Sequence, residues 1–219
     1  MITPEIRARL ESVVASRAAQ VGDACQKFRE LLGVMADLRS DAGCPWDREQ
    51  SLASLRQYIE EEAEEVKAAI DAVLEFEDEL RVKYGLSLAN SEAPGERDRA
   101  RTATKGLSIA HHPHRDNFIA TQSASGAPMP NELSPAARER LNELYGQLSN
   151  EIGDFLLQAV FLGEILFAME RGGVERPLQF IIEKLIRRHP HVYGEVSAAD
   201  SAEVLSNWEK IKAAENGKV

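Results

Sequence analysis

Two pairs of carboxylates fall where helical spacing would otherwise place apolar side chains. Leu55, Ile59, Val66, Ala69 and Val73 recur at helical intervals, and Glu62 stands between Ile59 and Val66 in that stripe. Glu65 follows three residues later, so the two acids share a helix face, and Glu61 flanks them four residues before Glu65. The segment reads Glu61-Glu62-Ala63-Glu64-Glu65. Glu151 and Asp154 repeat the three-residue spacing within Glu151-Ile152-Gly153-Asp154-Phe155-Leu156-Leu157, which enters an apolar run to Phe167. Carboxylates on such faces are costly to bury and repel one another. A divalent cation shared by the two pairs answers both costs. All-oxygen donors select a hard ion, Mg2+ or in its place Mn2+, over zinc. Glu60, Glu64, Glu75, Glu77 and Glu79 read instead as a solvated face. Gly153 weakens a helix interior yet permits a close neighbour or backbone approach.

The remaining reactive side chains have plainer readings. Lys184, Arg187 and Arg188 end a helix and complement its dipole. Pro190 between His189 and His191 points to a structural turn there. Trp46 and Trp208 read as packing residues. His111, His112 and His114 invite a metal reading, but their irregular, cysteine-free surroundings favour exposure. Cys25 and Cys44 are too few for a disulfide framework, and their spacing matches no zinc module.

Helices must position these groups, because no run alternates with period two. The pattern predicts helices over 4–19 and 21–38, then a break at Asp41, Gly43 and Pro45. A third helix is expected from Ser51, as its N-cap, to Tyr84, with Gly85 ending it. Residues 86–133, rich in Gly, Pro, Ser, Asn and Arg, read as an irregular insert, of which about 90–130 is expected to be dispensable for folding while influencing access to the site. Ser134-Pro135 restarts order as an N-cap with proline in the first turn, and the helix continues to about Arg171 before Gly172-Gly173. Further helices are expected over 177–188 and 201–214. The fold class is all-α, a bundle of long antiparallel helices completed by dimerisation. Long helices with acidic positions on their inner faces leave a monomer little core of its own.

Composition narrows the function classes. The 219 residues include 26 Lys plus Arg against 36 Asp plus Glu, a formal charge of -10 that argues against nucleic acid or an anionic membrane as partner. With 43% hydrophobic and 28% charged residues the chain can build a core, so global disorder is excluded. Met1-Ile2-Thr3-Pro4-Glu5 lacks the start of a signal peptide, and no apolar run approaches the roughly 20 residues that span a bilayer. The expectation is a cytoplasmic protein.

Five segments together resemble the MazG family of nucleoside triphosphate pyrophosphohydrolases, in the all-α NTP pyrophosphatase superfamily. They are Gly43-Cys44-Pro45-Trp46-Asp47-Arg48-Glu49-Gln50, then Leu55-Arg56-Gln57-Tyr58 leading into the 61–66 acidic stretch, and Glu151-Ile152-Gly153-Asp154-Phe155-Leu156-Leu157-Gln158. Lys184-Leu185-Ile186-Arg187-Arg188-His189-Pro190-His191-Val192-Tyr193-Gly194 and Asn207-Trp208-Glu209-Lys210-Ile211-Lys212 complete the series.

The resemblance implies magnesium-dependent cleavage of a nucleoside triphosphate to the monophosphate and pyrophosphate. Its metal ligands would be Glu62, Glu65, Glu151 and Asp154, with Glu61 an additional ligand or the group that orients water. Lys184, Arg187 and Arg188 would contact phosphates, Trp208 the nucleotide, and Tyr58 the border of its pocket. A homodimer or a dimer of dimers is implied. The whole of 1–219 reads as a single MazG-like domain, with a helical extension over about 1–22 and the insert over about 86–133. The insert lengthens the usual link between the two acidic pairs, and many relatives carry two such domains in tandem. A narrower dUTP or dCTP pyrophosphatase and a catalytically silent nucleotide- or protein-binding module are the alternatives.

Overall fold

The computed structural model describes residues 2–84 and 133–216. The expected insert, apart from Leu133, and the histidines at 111, 112 and 114 lie outside the described residues. Among the described residues the fold is all-α, with eight helices and no strand. These are α1 (Pro4–Ser16), α2 (Ala18–Leu38), α3 (Pro45–Glu49), α4 (Leu55–Lys83), α5 (Pro135–Ala168), α6 (Glu175–Arg188), α7 (Pro190–Tyr193) and α8 (Ser201–Asn216). No helix among them is long and apolar enough to cross a membrane.

Local chemistry explains most boundaries. Ser51 Oγ accepts from Ser54 N at 3.2 Å while Ser54 Oγ accepts from Ser51 N at 2.9 Å. This reciprocal cap precedes α4, which begins at Leu55 rather than at Ser51. Ser134 Oγ caps α5 by accepting from Ala137 N at 3.2 Å. That helix stops at Ala168, before the expected Arg171, because Glu170 (φ 56°) and Gly172 (φ 87°) turn the backbone left-handed. α6 starts two residues before Pro177, which sits in the first turn, where a missing N–H leaves no intrahelical bond unmade. The stretch expected as a break contains α3, a helix of 5 residues and too short for a periodic signal.

The chain's contacts gather into two compact units. The first comprises Met1–Glu60, Leu156–Ser197 and Lys210–Val219. Its core is Met35, Leu55, Val160, Phe161 and Ile165, with Phe28, Leu31, Leu32, Leu38, Tyr58, Leu157 and Leu162 packed against it. Burying each large apolar side chain there contributes about 1.5–3 kcal/mol. The turn from α2 to α3 closes tightly: Cys44 N donates to Leu38 O at 2.8 Å and the Arg39 side chain to Asp47 O. A Cβ at Gly43 would lie 2.3 Å from the carbonyl oxygens of Asp37 and Leu38, so only glycine fits.

The second unit comprises Glu61–Phe155 and Ala198–Glu209. Here α4 and α5 run antiparallel, because bonded partners descend along one helix as they ascend along the other. Ser134 N donates to Tyr84 Oη at 3.2 Å, and Tyr145 Oη donates to Glu77 Oε1 at 3.0 Å. Val73, Leu80, Ala137, Leu141 and Leu144 are buried. Glu77 overturns its reading as part of a solvated face. It is 1% exposed, takes the Tyr145 hydroxyl and is paired with the buried Arg81 at 3.3 Å. Buried charges persist only when paired and hydrogen-bonded, and Glu77 is both.

Candidate metal centre

Glu62 on α4 and Glu151 and Asp154 on α5 each offer a carboxylate oxygen, and these atoms lie within 4.8 Å of one another. All three residues belong to the second unit and all are half-buried. On α5 the three-residue spacing stacks Glu151 and Asp154 on one face, and the antiparallel partner supplies the third acid. Asn150 Nδ2 donates to Asp154 Oδ2 at 3.2 Å, which fixes one of its oxygens. At such separations two full negative charges oppose each other by about 3–4 kcal/mol at an effective dielectric of about 20. Three oxygen donors from two helices suit a hard divalent cation, whose charge offsets that repulsion.

Neighbouring acids stand apart from this group. Glu61, Glu64 and Glu65 are exposed. Glu64 pairs with Lys67 at 3.2 Å along the helix surface. Glu65 lies outside the three-residue group, although it sits on α4 three residues after Glu62. Gly153 corrects another expectation. Among the described residues a Cβ there would meet nothing within 4 Å, so none of them approaches its backbone closely.

The basic residues belong to the first unit. Lys184 is exposed on α6. Arg187 and Arg188, in the last turn of α6, both pair with Glu215 of α8, at 2.7 and 2.6 Å. Hydrogen bonds from Arg188 and then Arg187 hold the Glu215 carboxyl at about 2, well below the usual carboxylate range. The sequence gives no sign of Glu215, because it lies 27 residues from Arg188, far beyond any helical period. His189 Nδ1 lies 2.6 Å from Leu185 O, and its ring centre is 5.5 Å from that of His191. These contacts shape the turn between α6 and α7.

The aromatic candidates divide. Tyr58 is half-buried against the core of the first unit, and its ring meets that of Trp46 edge-on at 5.9 Å. Trp46 is 51% exposed, so it packs on Tyr58 from the surface and is not a core residue. Trp208 is half-buried on the part of α8 that belongs to the second unit.

Comparison with known proteins fits this set of residues. Residues 131–193, which include Glu151, Asp154, Lys184, Arg187 and Arg188, match the MazG nucleotide pyrophosphohydrolase domain. The nucleoside triphosphate pyrophosphohydrolase/pyrophosphatase MazG of Thermotoga maritima is 30% identical over 193 residues, 87% of this chain and 46% of that protein. The nucleoside triphosphate pyrophosphohydrolase of Escherichia coli K12 is 28% identical over 189 residues, 86% of this chain and 45% of that protein. An uncharacterized 26.1 kDa protein of Streptomyces cacaoi is 39% identical over 72 residues, 32% of this chain and 30% of its own. The chain thus spans under half the length of the two pyrophosphohydrolases. No solved structure matches it. With the paired acids, the basic helix end and these relatives in agreement, residues 131–193 form a MazG-type domain, and most of the chain is similar to MazG nucleoside triphosphate pyrophosphohydrolases.

Proposed function

We propose that this protein hydrolyses nucleoside triphosphates to nucleoside monophosphates and pyrophosphate, with Mg2+ as its cation and Mn2+ as a substitute. The observation that carries this reading is the convergence of Glu62, Glu151 and Asp154 within 4.8 Å in a chain that carries a MazG-type domain. These three hold the cation, and Glu65 is the fourth ligand by its place in the motif. The cation, when bound, supplies positive charge against the triphosphate. Glu61 is exposed beside them on α4, where its carboxylate orients water and accepts its proton. Lys184, Arg187 and Arg188 bind phosphate oxygens, where charge accumulates as the anhydride breaks. Tyr58 and Trp208 contact the rest of the nucleotide.

A turnover assay with canonical and modified nucleoside triphosphates, with and without Mg2+, tests this. The expected result is magnesium-dependent release of pyrophosphate with one monophosphate per turnover. Release of successive orthophosphates, or no turnover on any member of the panel, overturns it.

The assembly follows from the same reading: the working form is a homodimer or a dimer of dimers. Its support is α6, where Leu178, Ile181, Ile182 and Leu185 recur at helical spacing yet are 40–49% exposed. Sedimentation at micromolar concentration checks it, and a stable, active monomer would rule it out.

A further inference from the structure

Arg187 and Arg188 are neighbours in sequence, so the helix directs their side chains about 100° apart. Both are long and positively charged, and adjacent cations repel. Left alone, each would sample many rotamers. Glu215 of α8 gathers them. Its Oε1 accepts from Arg187 Nε at 2.7 Å, and its Oε2 accepts from Arg188 Nη2 at 2.6 Å and Arg188 Nε at 3.1 Å. Arg188 Nε also lies 3.4 Å from Oε1. All three residues lie in the first compact unit.

The way the carboxylate grips decides what it does. It takes Arg188 by the Nε edge, and Arg188 is only 15% exposed in its side chain. It takes Arg187 through Nε alone, and that side chain remains 53% exposed. The two terminal nitrogens of Arg187, four N–H donors in a planar fork, are not used by Glu215. A carboxylate seated on those outer nitrogens would occupy the donors that a ligand needs. One that gripped the inner edge would hold the fork still and leave it open.

We infer that Glu215 is a positioning residue: it fixes the guanidinium groups of Arg187 and Arg188 so that Arg187 presents its free fork to the phosphate oxygens of the substrate or of product pyrophosphate. This rests on the phosphate-binding role given above to the basic end of α6. The carboxyl stays ionised through the neutral range, because the hydrogen bonds from Arg188 and Arg187 hold it near 2. The grip is therefore permanent under working conditions rather than switched by pH. Ordering two arginines in advance removes an entropic cost from every binding event.

The test uses the full chain with Mg2+ and reads kcat, KM and the inhibition constant of pyrophosphate. Glu215→Gln and Glu215→Ala should raise KM and that inhibition constant about tenfold, the effect of losing one charge-assisted contact, with kcat changed less than about twofold. Glu215→Asp should recover part of the loss. In an Arg187→Ala/Arg188→Ala background, Glu215→Ala should add nothing further. Circular dichroism should show the same helix content in each variant, since Glu215→Gln keeps size and shape. Unchanged constants in the Glu215 variants overturn the inference. So do lowered constants, which would mean that Glu215 occupies the phosphate position and competes for it. If Arg187→Ala and Arg188→Ala themselves leave both constants unchanged, the phosphate role of the basic end falls and the inference falls with it. Arginine variants that weaken pyrophosphate beside inert Glu215 variants sink the inference alone.

Discussion

Tyr145 of α5 donates its hydroxyl to Glu77 of α4 at 3.0 Å, and Glu77 is 1% exposed. Arg81 completes the arrangement by pairing with Glu77 on one side and Asp78 on the other. A buried carboxylate that demands a hydroxyl from the facing helix penalises any slip between α4 and α5. Those two helices carry Glu62, Glu151 and Asp154, so their register sets whether the three acids meet.

Glu77→Ala should therefore destabilise the protein by about 3–5 kcal/mol, because it leaves the Arg81 charge buried and short of its partner. Tyr145→Phe should cost about 1.5–3 kcal/mol, the worth of a hydrogen bond to a charged group. Urea unfolding followed by circular dichroism measures both. Changes below about 0.5 kcal/mol in both variants, the range of ordinary surface substitutions, would show that the network locks nothing.

Glu62→Gln and Asp154→Asn should behave in the opposite sense. Each removes one of three acids that crowd within 4.8 Å, so the metal-free protein should be as stable as the wild type or more so. Mg2+ should raise the melting temperature of the wild type and have much less effect on either variant. Turnover should fall at least about a hundredfold, since a neutral amide is a poor ligand for a hard cation. Near-normal magnesium-dependent activity in either variant removes that residue from the metal site.

Acid should loosen the contact between α8 and α6. A carboxyl held at about 2 in the folded protein and near 4.5 when free contributes stability that is fully present above the free value. That contribution is lost as the pH falls through the folded value. Melting temperatures of the wild type and Glu215→Gln should thus differ at pH 6 and converge toward pH 2. A constant difference across the window would mean that the ion pairs contribute nothing linked to protonation.

Two glycines give a contrast in sign. At Gly153 an added Cβ meets nothing within 4 Å, so Gly153→Ala should stabilise α5 by about 0.5–1 kcal/mol. At Gly43 the same carbon would sit 2.3 Å from two backbone oxygens. Gly43→Ala must break the turn, with a loss of about 2 kcal/mol or more and altered fluorescence from the neighbouring Trp46. Equal effects from the two substitutions would contradict this geometry.

Sequence alone determined what depends on near neighbours. The helices follow from apolar spacing, the Ser51 and Ser134 caps from side chains within three residues, and the acidic pairs from their place on one helix turn. The resemblance to the MazG family follows from motif order, which needs no coordinates. Tertiary structure decided which surfaces meet. Glu61, Glu62 and Glu65 look equally acidic along α4, yet of these Glu62 is the one whose carboxylate oxygen lies within 4.8 Å of those of both Glu151 and Asp154. Glu77 resembles any solvated glutamate until Arg81, Tyr145 and the packing around them are in place. Glu215 acquires its partners from a helix 27 and 28 residues earlier. Periodicity reports that a face exists and is silent about what covers it, since that depends on contacts between residues that chain folding, not sequence distance, brings together.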